Sequence, residues 1–279
     1  MSINLRELAG RMADADKIIT PQYDKYMLEH GDDPFPEWVA ERIKQEIMRK
    51  PRFRPGTFSA SSAGSCPRAQ VLGFLGLGQD YLHDPQLQSI FNDGKWRHLR
   101  WQATLLAAGA LVDIEWALPW PNMNAWATAD GVGEVPMDHP RVEWRGKEFG
   151  FELKGVSTFQ FAKHVKDDKP IPKHVEQIRR GMLISGTPLW VLLYEDKTTQ
   201  RTHEWVIERD PVHDKRHRAQ LTELNASVTN RKLFPLLDDC KKRKGTGWSE
   251  CPFGKDTMIC PKAGDWPRLG RGNGSKKSS

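Results

Sequence analysis

Gly150-Phe151-Glu152-Leu153-Lys154-Gly155 is the stretch around which the chain is organised. Phe151, Leu153 and Val156 are apolar, while Glu152 and Lys154 are charged and sit two apart. Side chains two apart on a strand point to one face, so a carboxylate and an ammonium stand side by side. Lys and Glu are rarely buried without a partner. A charged pair on an otherwise apolar strand therefore marks either a sheet edge with a cross-strand ion pair or a site. Upstream, Ala129-Asp130-Gly131 offers a second carboxylate, or an ordinary turn residue.

The chain of 279 residues is long enough for one large domain with appendages. A hydrophobic content of 38% beside a charged content of 28% fits a globular protein rather than a membrane-embedded one. No apolar run reaches the roughly 18 residues needed to span a bilayer. Met1-Ser2-Ile3-Asn4-Leu5-Arg6-Glu7 lacks the basic-then-apolar order of a signal sequence, so the expected location is the cytoplasm. The net charge of +6 is uneven. Residues 231–279 hold 12 Lys or Arg against 5 Asp or Glu, and the other 230 residues hold 30 against 31. A basic segment of this kind attracts polyanions such as nucleic acid, or simply aids solubility.

The spacing predicts a helix over residues 3–19, ended by Thr20-Pro21, and another over 36–50 with Trp38, Val39, Ile43 and Ile47 on one face. Together they read as an N-terminal helical appendage, residues 1–58. Ser59 to Ser65 is a small-residue loop before Cys66-Pro67-Arg68 and a short helix over 69–77. A long helix follows over 86–109, stopped by Gly109. Strands are expected at 110–118 and 125–135, separated by Pro119-Trp120-Pro121-Asn122, and at 148–156. A helix over 173–186, strands at 188–195 and 202–208, and a charged helix over 212–233 complete the core. The tail over 263–279 is basic, and from Gly270 too polar to pack. The order predicts an α/β fold with a central mixed sheet flanked by helices and a Cys-rich C-terminal segment.

Two carboxylates and a lysine are what metal-dependent phosphodiester hydrolysis requires. The phosphate is anionic and repels hydroxide; a divalent metal neutralises that charge and lowers the pKa of a bound water. Magnesium takes hard oxygens. Asp130, Glu152 and the backbone carbonyl of Leu153 supply them, and Lys154 orients water or stabilises developing charge. His98, in Gly94-Lys95-Trp96-Arg97-His98, is a further candidate ligand and suits manganese. Gln177 is a candidate to hold the water or a DNA phosphate. Each residue taken singly also has a plain structural reading: an exposed ion pair, a surface histidine, a solvated glutamine.

The ordered series Gly94-x-x-x-His98, Asp130, Glu152-x-Lys154, Gln177 resembles the PD-(D/E)XK nucleases, and within them the RecB-like branch. Ser65-Cys66-Pro67-Arg68 ahead of the core, with Cys240, Cys251 and Cys260 after it, is similar to the one-plus-three cysteines of iron–sulfur members such as AddB-type helicase–nucleases and Cas-four-type exonucleases. The resemblance covers about residues 59–262. It implies a restriction-endonuclease-like core and a metal-dependent DNA exonuclease. The implied catalytic residues are Asp130, Glu152, Lys154 and Gln177, and the implied ligands of Mg²⁺ or Mn²⁺ are His98, Asp130, Glu152 and Leu153. It further implies a 4Fe–4S cluster on Cys66, Cys240, Cys251 and Cys260, a phage origin with the host cytoplasm as location, work on single-stranded DNA ends and a recombination-protein partner. A non-cleaving DNA-binding accessory protein of the same fold and a zinc-stapled structural protein are the alternatives.

Four thiolates suit an iron–sulfur cluster or a tetrahedral zinc, and such a group would tie the two ends of the core together. The family's late cysteines are spaced more tightly than these, and its usual Tyr four residues after the Gln is replaced by Gly181. Contacts to DNA are expected from Lys95, Arg97, Arg100, Arg179, Arg180, Lys241, Lys242, Arg243 and Lys244, with Trp96 and Trp248 as stacking surfaces. Trp116, Trp190 and Trp205 are expected in the core.

Overall fold

A six-stranded mixed sheet carries the core in the computed structural model, which describes residues 15–50, 54–77, 85–244, 251–254 and 258–267, without the side chain of Leu87. The strands are β1 (Phe58–Ser59), β2 (Asp113–Trp120), β3 (Ala125–Glu134), β4 (Glu148–Val156), β5 (Leu189–Asp196) and β6 (Thr202–Glu208). β2 runs antiparallel to β3 along one edge. The opposite edge of β3 is shared. β1 pairs parallel at Ala125 and Trp126, and β4 pairs antiparallel from Gly131 to Glu134. Residues 127–130 of β3 lie between these two pairings, where β3 and β4 part. β4 and β5 pair in parallel and β6 closes the sheet antiparallel to β5.

Both faces are covered, which is why β5 is buried along its whole length. Period-two alternation divides the strands between two cores. Phe149, Phe151 and Leu153 of β4 and Val191 and Leu193 of β5 pack with Trp101, Leu105 and Leu106 of the long helix α4 (Pro85–Ala107). Trp190, Leu192 and Tyr194 pack on the other side, with Phe161 of α5 (Thr158–Lys166) and Ile178 and Met182 of α6 (Pro172–Ser185). A third cluster joins α3 (Pro67–Phe74) and α7 (Pro211–Thr229) to Leu233, Phe253 and Cys260. Trp190 is buried as expected, and Trp116 and Trp205 are partly buried against the second core. No helix among the described residues is long and apolar enough to cross a membrane.

The N-terminal region differs from the expected pattern. Residues 1–14 lie outside the described residues, and Ala15 to Ile19 are not helical. The helix instead begins where the sequence suggested a stop: α1 is Thr20–His30, with Pro21 in its first turn. Proline is tolerated there because its missing N–H has no helical partner in any case. The carboxylate of Glu204 on β6 caps this end. It accepts the N–H groups of Ile18 (2.6 Å), Ile19 (3.1 Å) and Thr20 (2.8 Å) and the Thr20 hydroxyl (3.0 Å). Ile18 and Ile19, with Val39 of α2 (Glu37–Met48), belong to the same buried cluster as α4.

Three smaller differences have local causes. β2 runs through Pro119 and Trp120, because a sheet edge tolerates a residue without an N–H. Of the two residues of β1, Phe58 was read as the end of the N-terminal appendage and Ser59 as the start of a loop. α5 was not anticipated; Ser157 caps it by accepting the Gln160 N–H.

Candidate active site

His98, Asp130, Glu152, Lys154 and Gln177, from four different elements, come together where β3 and β4 part. Asp130 Oδ1 lies 3.1 Å from His98 Nδ1 on α4. Its Oδ2 accepts the backbone N–H of Leu153 at 2.7 Å, so the carboxylate takes a position that a ladder partner would otherwise fill. Its own carbonyl accepts Gln102 Nε2 from α4 at 2.8 Å. Glu152 Oε1 accepts Lys154 Nζ at 2.5 Å and Gln177 Nε2 at 2.6 Å. Glu152 is only 3% exposed, so this pair is not a solvated strand-face ion pair.

Gln177 reaches Glu152 because α6 lies close to the sheet. A Cβ on Gly150 of β4 would stand 2.6 Å from the Trp190 ring, and one on Gly181 of α6 would stand 2.7 Å from it. The indole thus fills space that two glycines leave free, one on each element. The same packing explains why no Tyr stands at position 181: Trp190 already occupies its place.

The charges are mutually dependent. Burial lifts the Glu152 carboxyl to about 7; the nearby Asp130 charge adds to this and Lys154 opposes it. Burial also acts on Asp130, but His98, Lys154 and the Leu153 N–H outweigh it and hold that carboxyl below its usual value. Burial would lower His98 and Lys154, and the facing carboxylates instead raise both. A carboxyl with a folded-state pKa near 7 and an unfolded one near 4.5 favours the folded state below the lower value. That contribution is lost as the pH rises through 7. Without divalent metal, the stability of wild type relative to Glu152→Gln is therefore expected to fall between pH 5 and pH 8, by on the order of 3 kcal/mol. Denaturant midpoints in EDTA at the two pH values measure it; a constant difference would place the Glu152 carboxyl in its ordinary range.

The surrounding basic residues divide. Lys95, Arg100 and the run Lys241, Lys242, Arg243 and Lys244 are exposed. Arg97 is largely committed to Glu195 on β5, at 2.9 Å. Glu195 is fully buried and also accepts from Arg100 and from Trp101 Nε1. Arg179 is half-buried. Arg180 does not belong among the DNA contacts: it is fully buried, and its guanidinium donates to Gln70 Oε1 (2.9 Å), Gln220 Oε1 (2.6 Å) and the Ser59 carbonyl (3.3 Å). It joins α6 to α3 and α7. Trp248 lies outside the described residues.

All four cysteines line one cavity of about 750 Å³. Burial, and then the other thiols, raise the Cys240 thiol, and burial leads the rise of Cys251 and Cys260 as well. Arg68 stands behind them. Its Nε donates to Cys260 Sγ at 3.2 Å, and its other nitrogens donate to the carbonyls of Phe234, Cys260 and Gly264. Among the described residues no three His, Cys, Asp or Glu side chains form a preassembled group around a single ion.

No protein-family model matches the chain, and no curated protein matches it. Among solved structures it is similar to LHK-Exo in complex with dAMP, at 16% identity over 70% of this chain and 92% of that one, with a TM-score of 0.47. It is similar to an alkaline exonuclease (LHK-Exo) from Laribacter hongkongensis at 16% identity over the same shares, with a TM-score of 0.45. A structure of SSO0001 matches at 14% identity over 80% of this chain and 93% of that chain, with a TM-score of 0.45. At this distance the chemistry rests on the residues themselves.

Proposed function

We propose that the protein is a metal-dependent DNA exonuclease of PD-(D/E)XK type that trims DNA ends. The observation that carries this reading is the meeting of two hydrogen-bonded groups, His98–Asp130 and Lys154–Glu152–Gln177, at the point where Asp130 accepts the Leu153 N–H. Burial first, and then the Asp130 charge, raise Glu152, and a cation beside the two carboxylates would offset both. The donor set fits Mg²⁺ or Mn²⁺: oxygens from Asp130, Glu152 and the Leu153 carbonyl, with His98 as a nitrogen ligand. When bound, the metal neutralises the scissile phosphate and lowers the pKa of the attacking water. Lys154 keeps its charge and supplies a fixed cation for the phosphate. Gln177 holds Glu152 in place from α6. Lys95, Arg100 and the run from Lys241 to Lys244 attract the DNA backbone. The test is digestion of end-labelled single- and double-stranded DNA with Mg²⁺, with Mn²⁺ and with EDTA; no loss of label with either metal would refute the reading.

The cysteine cavity fits a thiolate-held 4Fe–4S cluster. Buried and crowded thiols resist ionisation without a cation, and Arg68 offsets part of the charge that Cys260 acquires. The cluster ties α3 to the C-terminal segment. Protein purified without oxygen is then expected to be brown, with absorbance near about 400 nm. A colourless protein with stoichiometric zinc would instead point to a tetrahedral zinc site. Cys66→Ser is expected to lose the iron and to melt lower; unchanged iron content and melting would remove Cys66 from the ligands.

A further inference from the structure

His174 lies three residues before Gln177 on α6, on the same side of the helix. Its Nδ1 is 2.6 Å from the Tyr194 hydroxyl. The same hydroxyl accepts the backbone N–H of Ile171 at 2.9 Å. Tyr194 is fully buried, and a phenol has one proton to give. With its oxygen accepting from Ile171, the acceptor that the contacts of Tyr194 offer that buried proton is His174 Nδ1. A neutral imidazole that accepts at Nδ1 carries its own proton on Nε2. Burial, followed by the charges of Lys154 and Lys173, lowers His174 to about 4, so the ring is neutral at physiological pH. No hydrogen bond reaches its Nε2 among the described residues. Tyr194 is in register with Lys154 on the neighbouring strand, which puts the Tyr194–His174 pair beside the site, under α6.

We propose that the Nε2–H of His174 is an uncharged hydrogen-bond donor to a phosphate oxygen of the bound DNA strand, its tautomer fixed by Ile171 and Tyr194. The proposal rests on the nuclease reading and adds a substrate-contacting residue to it. A neutral donor suits this position because Lys154 already supplies the fixed positive charge. A lowered pKa that keeps an imidazole neutral is a known way to obtain such a donor.

The test uses two variants with opposite geometry. Asn at 174 places a polar group near the Nδ1 position, so His174→Asn keeps an acceptor for Tyr194 and loses the outer donor. Gln reaches the Nε2 position, so His174→Gln keeps the outer donor and gives up the Tyr194 bond. His174→Asn is expected to lower kcat/KM on end-labelled DNA about tenfold or more, with an unchanged melting point. His174→Gln is expected to recover most of that loss while melting lower. The reverse pattern, activity lost in His174→Gln and kept in His174→Asn, would mean that His174 serves only to hold Tyr194. Long-range proton–nitrogen correlation spectra of the metal-free wild type are expected to show the Nε2–H tautomer; the Nδ1–H form overturns the proposal. A wild type that cuts DNA beside a His174→Asn variant with the same kcat and KM refutes this role alone. A wild type that does not cut refutes the nuclease reading and this role with it.

Discussion

Lys154→Ala and Glu152→Ala are each expected to cut DNA more slowly than wild type by about a thousandfold or more, equivalent to about 4 kcal/mol of transition-state stabilisation. The two losses have different causes. Without Glu152 only Asp130 remains as a carboxylate, and Gln177 and Lys154 lose their common acceptor. Without Lys154 two carboxylates face the phosphate with less compensating charge, and Glu152, already near 7, is pushed further toward its protonated form. That protonation spares Lys154→Ala from leaving a buried uncompensated anion, so the variant is expected to remain folded at pH 7. Single-turnover rates at saturating metal, with circular dichroism as the control for folding, measure both effects. Cutting by both variants at the wild-type rate would remove this cluster from the chemistry.

Glu204→Ala has the largest expected effect on stability, roughly 3 kcal/mol or more. The substitution leaves the N–H groups of Ile18, Ile19 and Thr20 without their acceptor in a buried position. Each unsatisfied buried donor costs about 1–3 kcal/mol, less where water can enter, and the cap of α1 is lost as well. At about 2–4 °C per kcal/mol for a chain of this size, the melting point should fall by roughly 6–12 °C. Limited proteolysis at Lys17 and Lys25, which flank the capped end, should speed up in parallel. A melting point within about 2 °C of wild type would show that the α1 terminus finds other partners. Glu204→Gln is expected to fall between the two, because its oxygen still accepts while its amide faces donors.

How much of this was legible from residues alone depends on the range of the interaction. The bounds of β4 follow from the alternation of Phe149, Phe151 and Leu153, and the structure places them at Glu148 and Val156. α6 ends at Gly186, which adopts the left-handed conformation that suits glycine. Such features are local. The adjacency of Glu152 and Lys154 was equally local, since two-residue spacing on a strand fixes it. The start of α1 was misread because Thr20-Pro21 is a stop signal or a start signal according to what caps it, and the cap comes from Glu204, more than 180 residues away. A sign was present: Glu204 occupies an inward position on β6 beside Val206, where an apolar residue would be expected.

The basic residues carry the same lesson. Arg97, Arg100 and Arg180 look alike in sequence, and only the fold shows that Arg97 and Arg100 share the buried Glu195, with Arg100 still exposed, while Arg180 is buried on Gln70 and Gln220.

By itself the sequence determined the alternating strands, the helix α6 that carries Gln177, and the kinds of residue, carboxylates, lysine, histidine and cysteines, that the fold then gathers. These depend on periodicities of two and 3.6 residues, which neighbouring residues set. Only the tertiary structure decided that Asp130 turns to the Leu153 N–H where β3 leaves β4, and that Trp190 fits between Gly150 and Gly181 so that Gln177 reaches Glu152. It also decided that the four thiols line one cavity and that Tyr194 is paired with His174. Each of these is a contact between segments far apart in the chain, set by packing volume and hydrogen-bond satisfaction rather than by any local preference.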